Sequence, residues 1–580
     1  MEKGNRSLGL KGADPSQVRR RHILWLAILT LAVLAPFINR AFNIDEPLFV
    51  WTGAHIRAHP LDPYGFKVNW YEDEMGMAEV TKNPPLAAYY IALASLIFGW
   101  SEIGLHLAFL IPAVLAVLGT YALARRLCRA PLAAALMTLL TPVFLLSGAT
   151  VMCDMLMLAL WVWSVVLWMD GLEQRSHGRL AAAAVLTALC ALTKYFGVSL
   201  IPLLLVYTVA KARGVRIRRE APRNPSAGHP PASVWPALHL LISIAILAVY
   251  HAVMSASYGR GPLRDAVVYA TTERWNQGFP LLVKTLTGLS FLGGCVAVAF
   301  FLAHRLWPRR TLGIGALLIV AVGAGVLMSG HIGTFALGEV QGTRPWAVAA
   351  QFAFLAVAGG ALLGTVLAEL RHQRDSETYM LLLWLFGTFL FAAYINWTTN
   401  GRSLLPLAPP AAILLARRLE RRTPAGTPAL MRQLRVPLVL AGLFAVLVVK
   451  ADAEWADASR TAAVRIGERF RGIAAVWFEG HWGFQYYMQK NGGRPADVDR
   501  LRLNPGDALI LPVYNTNVRP VSPEIYAVGE IFDVPVMPCL SVGNHDLGAG
   551  YYADLWGPLP FALGRVGPDR YLAMALKKGH

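Results

Sequence analysis

The chain has 580 residues, of which 56% are hydrophobic and only 15% charged, with a formal net charge of +18. This is too apolar and too poor in charge for an ordinary soluble protein, so the chain reads as a polytopic membrane protein. The basic excess does not point to nucleic acid, because Lys and Arg come in short clusters at the ends of apolar runs, the arrangement that orients membrane segments. Of the five cysteines, Cys128, Cys153, Cys190 and Cys295 lie in or beside apolar runs and Cys539 in a polar region, with no disulfide framework or metal-ligand spacing.

Arg19, Arg20 and Arg21 precede an apolar run that is long, lacks a convincing small-residue cleavage site and is followed by many more runs, so it predicts an uncleaved first helix. A span needs roughly 20 apolar residues. On that measure the sequence predicts about thirteen spans, at 22–41, 103–124, 131–148, 150–169, 179–195, 197–211, 233–254, 280–304, 312–330, 346–369, 378–398, 403–417 and 436–450. With the N-terminus (1–21) cytoplasmic, Arg125/Arg126/Arg129, Arg175/Arg179, Arg305/Arg309/Arg310, Arg371/Arg374 and the basic stretches 211–223 and 417–435 all fall inside. Pro84 to Trp100 is also apolar, but counting it as a span would reverse every later loop. It is read as an interfacial or re-entrant helix within a long outer loop, 42–100. A second outer loop runs from Ser255 to Pro280, and 212–232, rich in Arg and Pro, reads as a disordered linker. After Lys450 charge, Gly and Pro rise, and short apolar runs alternate with polar stretches and one helix at Trp482–Lys490. The fold class is therefore an all-α polytopic membrane protein: a transmembrane domain over 22–450 and a small extra-cytoplasmic α/β domain over 451–580. Its place is the plasma (inner) membrane.

Ionisable residues recur at one depth, the outer ends of helices. Asp45 and Glu46 follow the first span, Asp154 opens the fourth, Lys194 lies between the fifth and sixth, Arg402 precedes the twelfth, and Lys82 joins them from the long loop. Such groups are expensive near membrane depth unless they face a cavity or each other, which makes them functional candidates. Each also has a plainer reading: Asp45 and Asp154 as helix-terminal acids favoured by the dipole, and Lys82, Lys194 and Arg402 as interfacial anchors. His481, with no second ligand at metal spacing, reads as structural. Carboxylates and cations together at a membrane face suit group transfer from a lipid phosphate: a carboxylate takes the proton of an incoming hydroxyl, and cations or a metal stabilise the departing phosphate.

Five motifs occur in order: NIDEPLF (43–49), TKNPPLAAYY (81–90), TVMCDMLML (150–158), LTKYFGVSLIPLLL (192–205) and GRSLLPLAPPAAILLA (401–416). Together, over roughly 22–420, they resemble the GT-C superfamily of membrane glycosyltransferases, specifically the protein O-mannosyltransferase and lipid A aminoarabinose transferase group. The resemblance implies an inverting transfer from a polyprenyl-phosphate sugar to a lipid, glycan or protein acceptor on the outer side. It places Asp45 as base with Glu46 beside it, Asp154 as the second acid, and Lys82, Lys194 and Arg402 near the donor phosphate. Lys82 departs from the pattern, because Asn83 intervenes before Pro84-Pro85 where many relatives have Lys directly before Pro-Pro. Some relatives bind a divalent metal ion near the acids; this sequence has no decisive ligand set. A different class, a lipid or solute transporter or flippase without glycosyl transfer, would place its charges near the midplane and show inverted repeats, and no repeat is visible here. Residues 550–557, GYYADLWG, carry no mechanism by sequence, and the region after 450 is expected to help hold the acceptor over the first loop.

Overall fold

The computed structural model describes residues 14–214, 233–276, 278–338, 344–472, 475–497, 503–504, 506–522 and 525–576. Most of the segment read as a linker, 215–232, and the N-terminal residues 1–13 lie outside them.

The chain is a mostly helical polytopic membrane protein with a small strand-containing C-terminal region. All thirteen segments expected to span are helical, but they differ in length. Among the described residues nine helices are long and apolar enough to cross a membrane, from Ser16–Phe37 to Thr427–Phe470. A tenth span is broken: Pro131–Leu139 and Pro142–Gly148 meet at 64°. The break has a local cause, since Pro142 lacks an N–H and Thr141 Oγ1 accepts from Phe144 N at 3.3 Å, restarting the helix. The other three expected spans are shorter helices, His177–Thr193, Leu281–Cys295 and Ala408–Arg421. The 13-residue helix Leu86–Phe98 reaches only about 20 Å, short of a hydrocarbon core, as its exclusion from the span count requires.

The helix Thr427–Phe470 runs unbroken for 44 residues, so the change of composition after Lys450 falls inside one rod. Beyond it a five-stranded sheet forms in the order Arg494–Pro495, Val476–Phe478, Ala508–Pro512, Asp569–Leu576, Tyr526–Val534. Val476–Phe478 is parallel to both its neighbours and the remaining pairings are antiparallel. The parallel step from Val476–Phe478 to Arg494–Pro495 needs a crossover, which the helix Trp482–Lys490 supplies, at the bounds the sequence predicts. Ala508–Pro512 is buried on both faces, as expected for the continuous apolar run ALILP in a strand with neighbours on each side.

The crossover helix also fixes the region to the first loop. Gly483 sits so close to Phe42 that a Cβ would lie 2.0 Å from the Phe42 carbonyl oxygen, and Phe42 N donates to Tyr487 Oη at 2.9 Å. Only a residue without a side chain permits that approach.

Candidate active site

The first loop delivers its two acids to different places. Asp45 immediately precedes the helix Glu46–Ala58, whose start is set by Pro47, yet its side chain makes no capping hydrogen bond. Its Oδ2 instead accepts from Arg402 Nη1 at 3.0 Å, and its side chain remains 32% exposed. The cap therefore does not account for Asp45. Glu46 turns the other way. Oε2 accepts from Arg40 Nη1 and from Asn43 N, both at 2.6 Å, and Oε1 accepts from Val151 N at 2.6 Å. Successive residues at a helix start diverge by about 100°, so one acid reaches open space while its neighbour is sealed in protein. Glu46, expected beside Asp45 in the site, is corrected on this point: it is a buried structural anchor.

Asp154 lies in the first turn of the helix Cys153–Gln174 with its side chain 1% exposed. It accepts from Lys194 Nζ at 2.6 Å and pairs with Arg402 Nε at 3.3 Å. Lys194 follows the last residue of His177–Thr193, and Arg402 sits in the short helix Gly401–Leu404, where Asn400 Oδ1 accepts from Ser403 N at 2.8 Å. Arg402 thus bridges the two carboxylates, using a planar guanidinium that can address two partners at once where an ammonium is a point charge. Residues separated by hundreds of positions form one network of two acids and two cations.

Lys82 stands apart from it. Its Nζ donates to the Glu79 carbonyl at 2.5 Å and lies 5.3 Å from the Tyr269 ring centroid. Burial, then nearby Arg260, pull its pKa below the usual lysine range.

Asp45, Lys82, Lys194 and Arg402 all line one cavity of about 1050 Å³, which neither Glu46 nor Asp154 reaches. One part of its wall comes from spans and carries Trp161, Phe196, Trp384 and Phe391; another comes from the first loop and from residues after 450 and carries Trp70, Trp455, Trp482 and Trp556. Among the described residues five non-glycine positions have positive φ, and three of them line this cavity: Ile44 (50°), Trp482 (65°) and Asn517 (56°). Such conformations cost on the order of 1–3 kcal/mol each and persist only where the surroundings over-determine them, which is a property of functional sites.

Two features of the site escaped the sequence. One is the buried set Arg40, Glu46 and Asp452: Arg40 Nε donates to Asp452 Oδ2 at 2.8 Å, and Tyr552 Oη donates to Asp452 Oδ1 at 2.8 Å. Its only sequence signal is a charge at Arg40 six residues before Glu46. The other is the segment 550–557. Gly401 N donates to Tyr551 O at 2.8 Å, and a Cβ at Gly401 would lie 2.2 Å from the Tyr551 ring. Asp554 Oδ1 accepts from Thr399 N at 3.0 Å. The segment is a brace against the loop that carries Arg402.

Among the described residues no group of three or more His, Cys, Asp or Glu is arranged to hold a metal ion. The donor set does not fit a divalent ion, since Arg402 occupies the space between the two site carboxylates.

Residues 82–223 match the family model described as dolichyl-phosphate-mannose-protein mannosyltransferase. No curated protein matches the chain by sequence. Loose structural likenesses extend further. The oligosaccharyltransferase AglB of Archaeoglobus fulgidus, in complex with an inhibitory peptide and a dolichol-phosphate, is 15% identical over 83% of this chain and 64% of its own, with a TM-score of 0.46. This chain therefore spans just under two thirds of that protein's length. ArnT of Cupriavidus metallidurans, bound to undecaprenyl phosphate, is 13% identical over 86% of this chain and 94% of its own, with a TM-score of 0.40. The mycobacterial arabinofuranosyltransferase AftD is 13% identical over 95% of this chain and 40% of its own, also at 0.40. The chain resembles the GT-C superfamily of membrane glycosyltransferases, as its motifs indicate, and the segment matched by the mannosyltransferase family model is the one that carries Lys82, Asp154 and Lys194.

Proposed function

We propose that the chain is an integral membrane glycosyltransferase that moves a sugar from a polyprenyl-phosphate donor to an acceptor on the outer side of the plasma membrane, inverting the anomeric carbon. One observation carries the reading: an accessible carboxylate, Asp45, sits in a cavity wall beside two cations, which a second, inaccessible carboxylate, Asp154, holds in place. Asp45 is the base because it reaches the cavity. Asp154, with its side chain 1% exposed, is a positioning residue.

In the reaction an acceptor hydroxyl oxygen bonds to the anomeric carbon as the bond from that carbon to the phosphate oxygen breaks. The hydroxyl proton passes to Asp45, and the polyprenyl phosphate leaves with one more negative charge, which Arg402 and Lys194 neutralise. An arriving phosphate competes for the Arg402 guanidinium and so frees Asp45 to act as base, a step that couples donor binding to activation. The span-built wall, with Trp161, Phe196, Trp384 and Phe391, suits the apolar part of the donor. On this reading, which the distribution of Lys and Arg supports, the N-terminus lies in the cytoplasm and residues 451–580 on the outer side.

The test is transfer of a radiolabelled sugar from a synthetic polyprenyl phosphate by purified protein in nanodiscs. Asp45→Asn should lower the rate by about 10²- to 10⁴-fold, the usual contribution of a positioned general base, while inserting and folding normally. Retained transfer in that variant rejects Asp45 as the base.

A further inference from the structure

The cavity wall contributed by the C-terminal region is built unlike the rest of the site. Trp482 and Trp556 have ring centroids 4.9 Å apart, both are half-buried, and Trp455 closes the cluster at 5.9 and 6.3 Å. Beside them His481 lies 4.7 Å from Trp70 and 5.3 Å from Trp482. His481 Nε2 is 2.9 Å from Thr516 Oγ1, and Asn517 Nδ2 donates to the Trp70 carbonyl at 3.0 Å.

Three properties of this wall restrict its ligand. It carries no formal charge: the part of the lining drawn from residues 455–556 contains no Asp, Glu, Lys or Arg, and burial holds His481 down at about 3, so it is neutral. It offers polar groups at its edge, because Thr516 and Asn517 line the cavity and Asn517 keeps a side-chain carbonyl with no hydrogen-bond partner among the described residues. It offers no extended edge strand: none of the five strands of the C-terminal sheet lines the cavity, and the two strand residues that do, Gly543 and Gly550, pair with each other in a two-residue ladder, whereas an extended peptide is most readily held by adding to a free edge. A charged lipid headgroup finds no counter-charge here. A sugar ring does find a match: its C–H face is apolar with partially positive hydrogens, which suits the negative face of an indole, while its hydroxyls meet the amide and hydroxyl at the rim.

Resting on the glycosyltransferase reading above, we infer that the acceptor is itself a saccharide, docked on the Trp482–Trp556 face with its attacking hydroxyl toward Asp45. The enzyme thereby forms a sugar-to-sugar bond. Gly483 against Phe42 seats Trp482 next to the loop that carries Asp45, which places this platform on the acceptor side of the base. The strained backbones at Trp482 and Asn517 fix the platform's shape before the ligand arrives.

Two measurements test this. Linkage analysis of envelope material from cells with and without the full-length protein should find, only in its presence, a glycosidic bond between two sugars. Transfer that yields a sugar on serine, threonine or a lipid phosphate overturns the inference and leaves the glycosyltransferase reading standing. No difference in any linkage, with Asp45→Asn indistinguishable from the unaltered protein, defeats that reading too. Using the saccharide so identified, Trp556→Ala should raise the acceptor KM about tenfold while leaving the donor KM within about twofold, and Trp556→Phe should recover most of the loss because it keeps an aromatic face. An increase confined to the donor KM assigns the platform to the donor sugar and also overturns the inference.

Discussion

Asp45 and Glu46 are adjacent in the chain, yet they belong to two charge clusters with opposite designs. Around Glu46, Arg40 and Asp452 every side chain is sealed from solvent, and the guanidinium is shared between two carboxylates inside protein. Around Asp45 the same arrangement recurs, Arg402 between Asp45 and Asp154, but one carboxylate is left 32% exposed in a cavity wall. The difference teaches that the arginine-bridged pair of acids is a scaffold in both places, and that exposure of a single member turns one of them toward chemistry. A buried pair is poor evidence of net stability but expensive to break, because removing one partner strands an uncompensated charge.

The largest effect should come from the sealed cluster. Arg40→Met leaves Glu46 and Asp452 facing each other without a cation and should destabilise the protein by about 3–5 kcal/mol, seen as a large fall in the thermal unfolding midpoint in detergent. An unchanged midpoint would mean that the cluster is not a scaffold. At the open cluster the expected order is reversed, with activity falling and stability barely moving. Arg402→Lys keeps the charge but loses the fork that bridges Asp45 and Asp154, and should lower kcat by about 10²-fold or more; a kcat within about threefold of the original shows that a point charge suffices. Lys82 lines the cavity outside the network, so Lys82→Gln should change transfer by less than about tenfold. A loss as large as that of Arg402→Lys would bring Lys82 into the phosphate site.

A further effect concerns pH and lies away from both clusters. Asp569, at the start of a sheet strand, accepts from Tyr571 Oη at 2.6 Å, and burial lifts its pKa to about 7. The folded state therefore holds this proton more tightly than the unfolded chain, whose Asp titrates near 3.9. Between those values the folded state binds more protons, so its contribution falls as pH rises from about 4 to 7 and is flat above. Asp569→Asn should remove that slope from a plot of unfolding midpoint against pH. A slope that survives assigns it to another group.

How much of this the sequence contained depends on the distance over which each feature is encoded. Ten of the thirteen expected spans, one of them broken, and the helix Trp482–Lys490 are written in local periodicity and appear where the sequence predicts them, and Leu86–Phe98 is a helix too short to count as a span. The convergence of Asp45, Asp154, Lys194 and Arg402 was legible because each sits at a helix end at one depth, a property that alternation of spans carries along the chain. Arg40 with Asp452, 412 residues apart, and Tyr551 against Gly401 depend on tertiary contact with no local signal. The direction of Glu46 depends on helix phase, which two consecutive acids do not reveal. The number of helices long enough to span was hidden for another reason: an apolar window distinguishes neither a straight helix from one broken at Thr141–Pro142 nor a long helix from the shorter His177–Thr193, Leu281–Cys295 and Ala408–Arg421.

The helix Thr427–Phe470 has a mechanical consequence. Its 44 residues make a rod of about 66 Å, roughly twice the thickness of a hydrocarbon core. Asp452, held by Arg40, pins the rod just past its middle, so it can act as a lever with a fulcrum. Tilting the arm beyond Asp452, about 27 Å long, by 5° would swing its far end, where Phe470 meets Phe532 of the sheet, by about 2 Å. Force applied to the sheet would reach the spans along this stiff member as well as through the Gly483–Phe42 and Tyr551–Gly401 contacts, and crosslinking the member to its neighbours would hold both its ends at once.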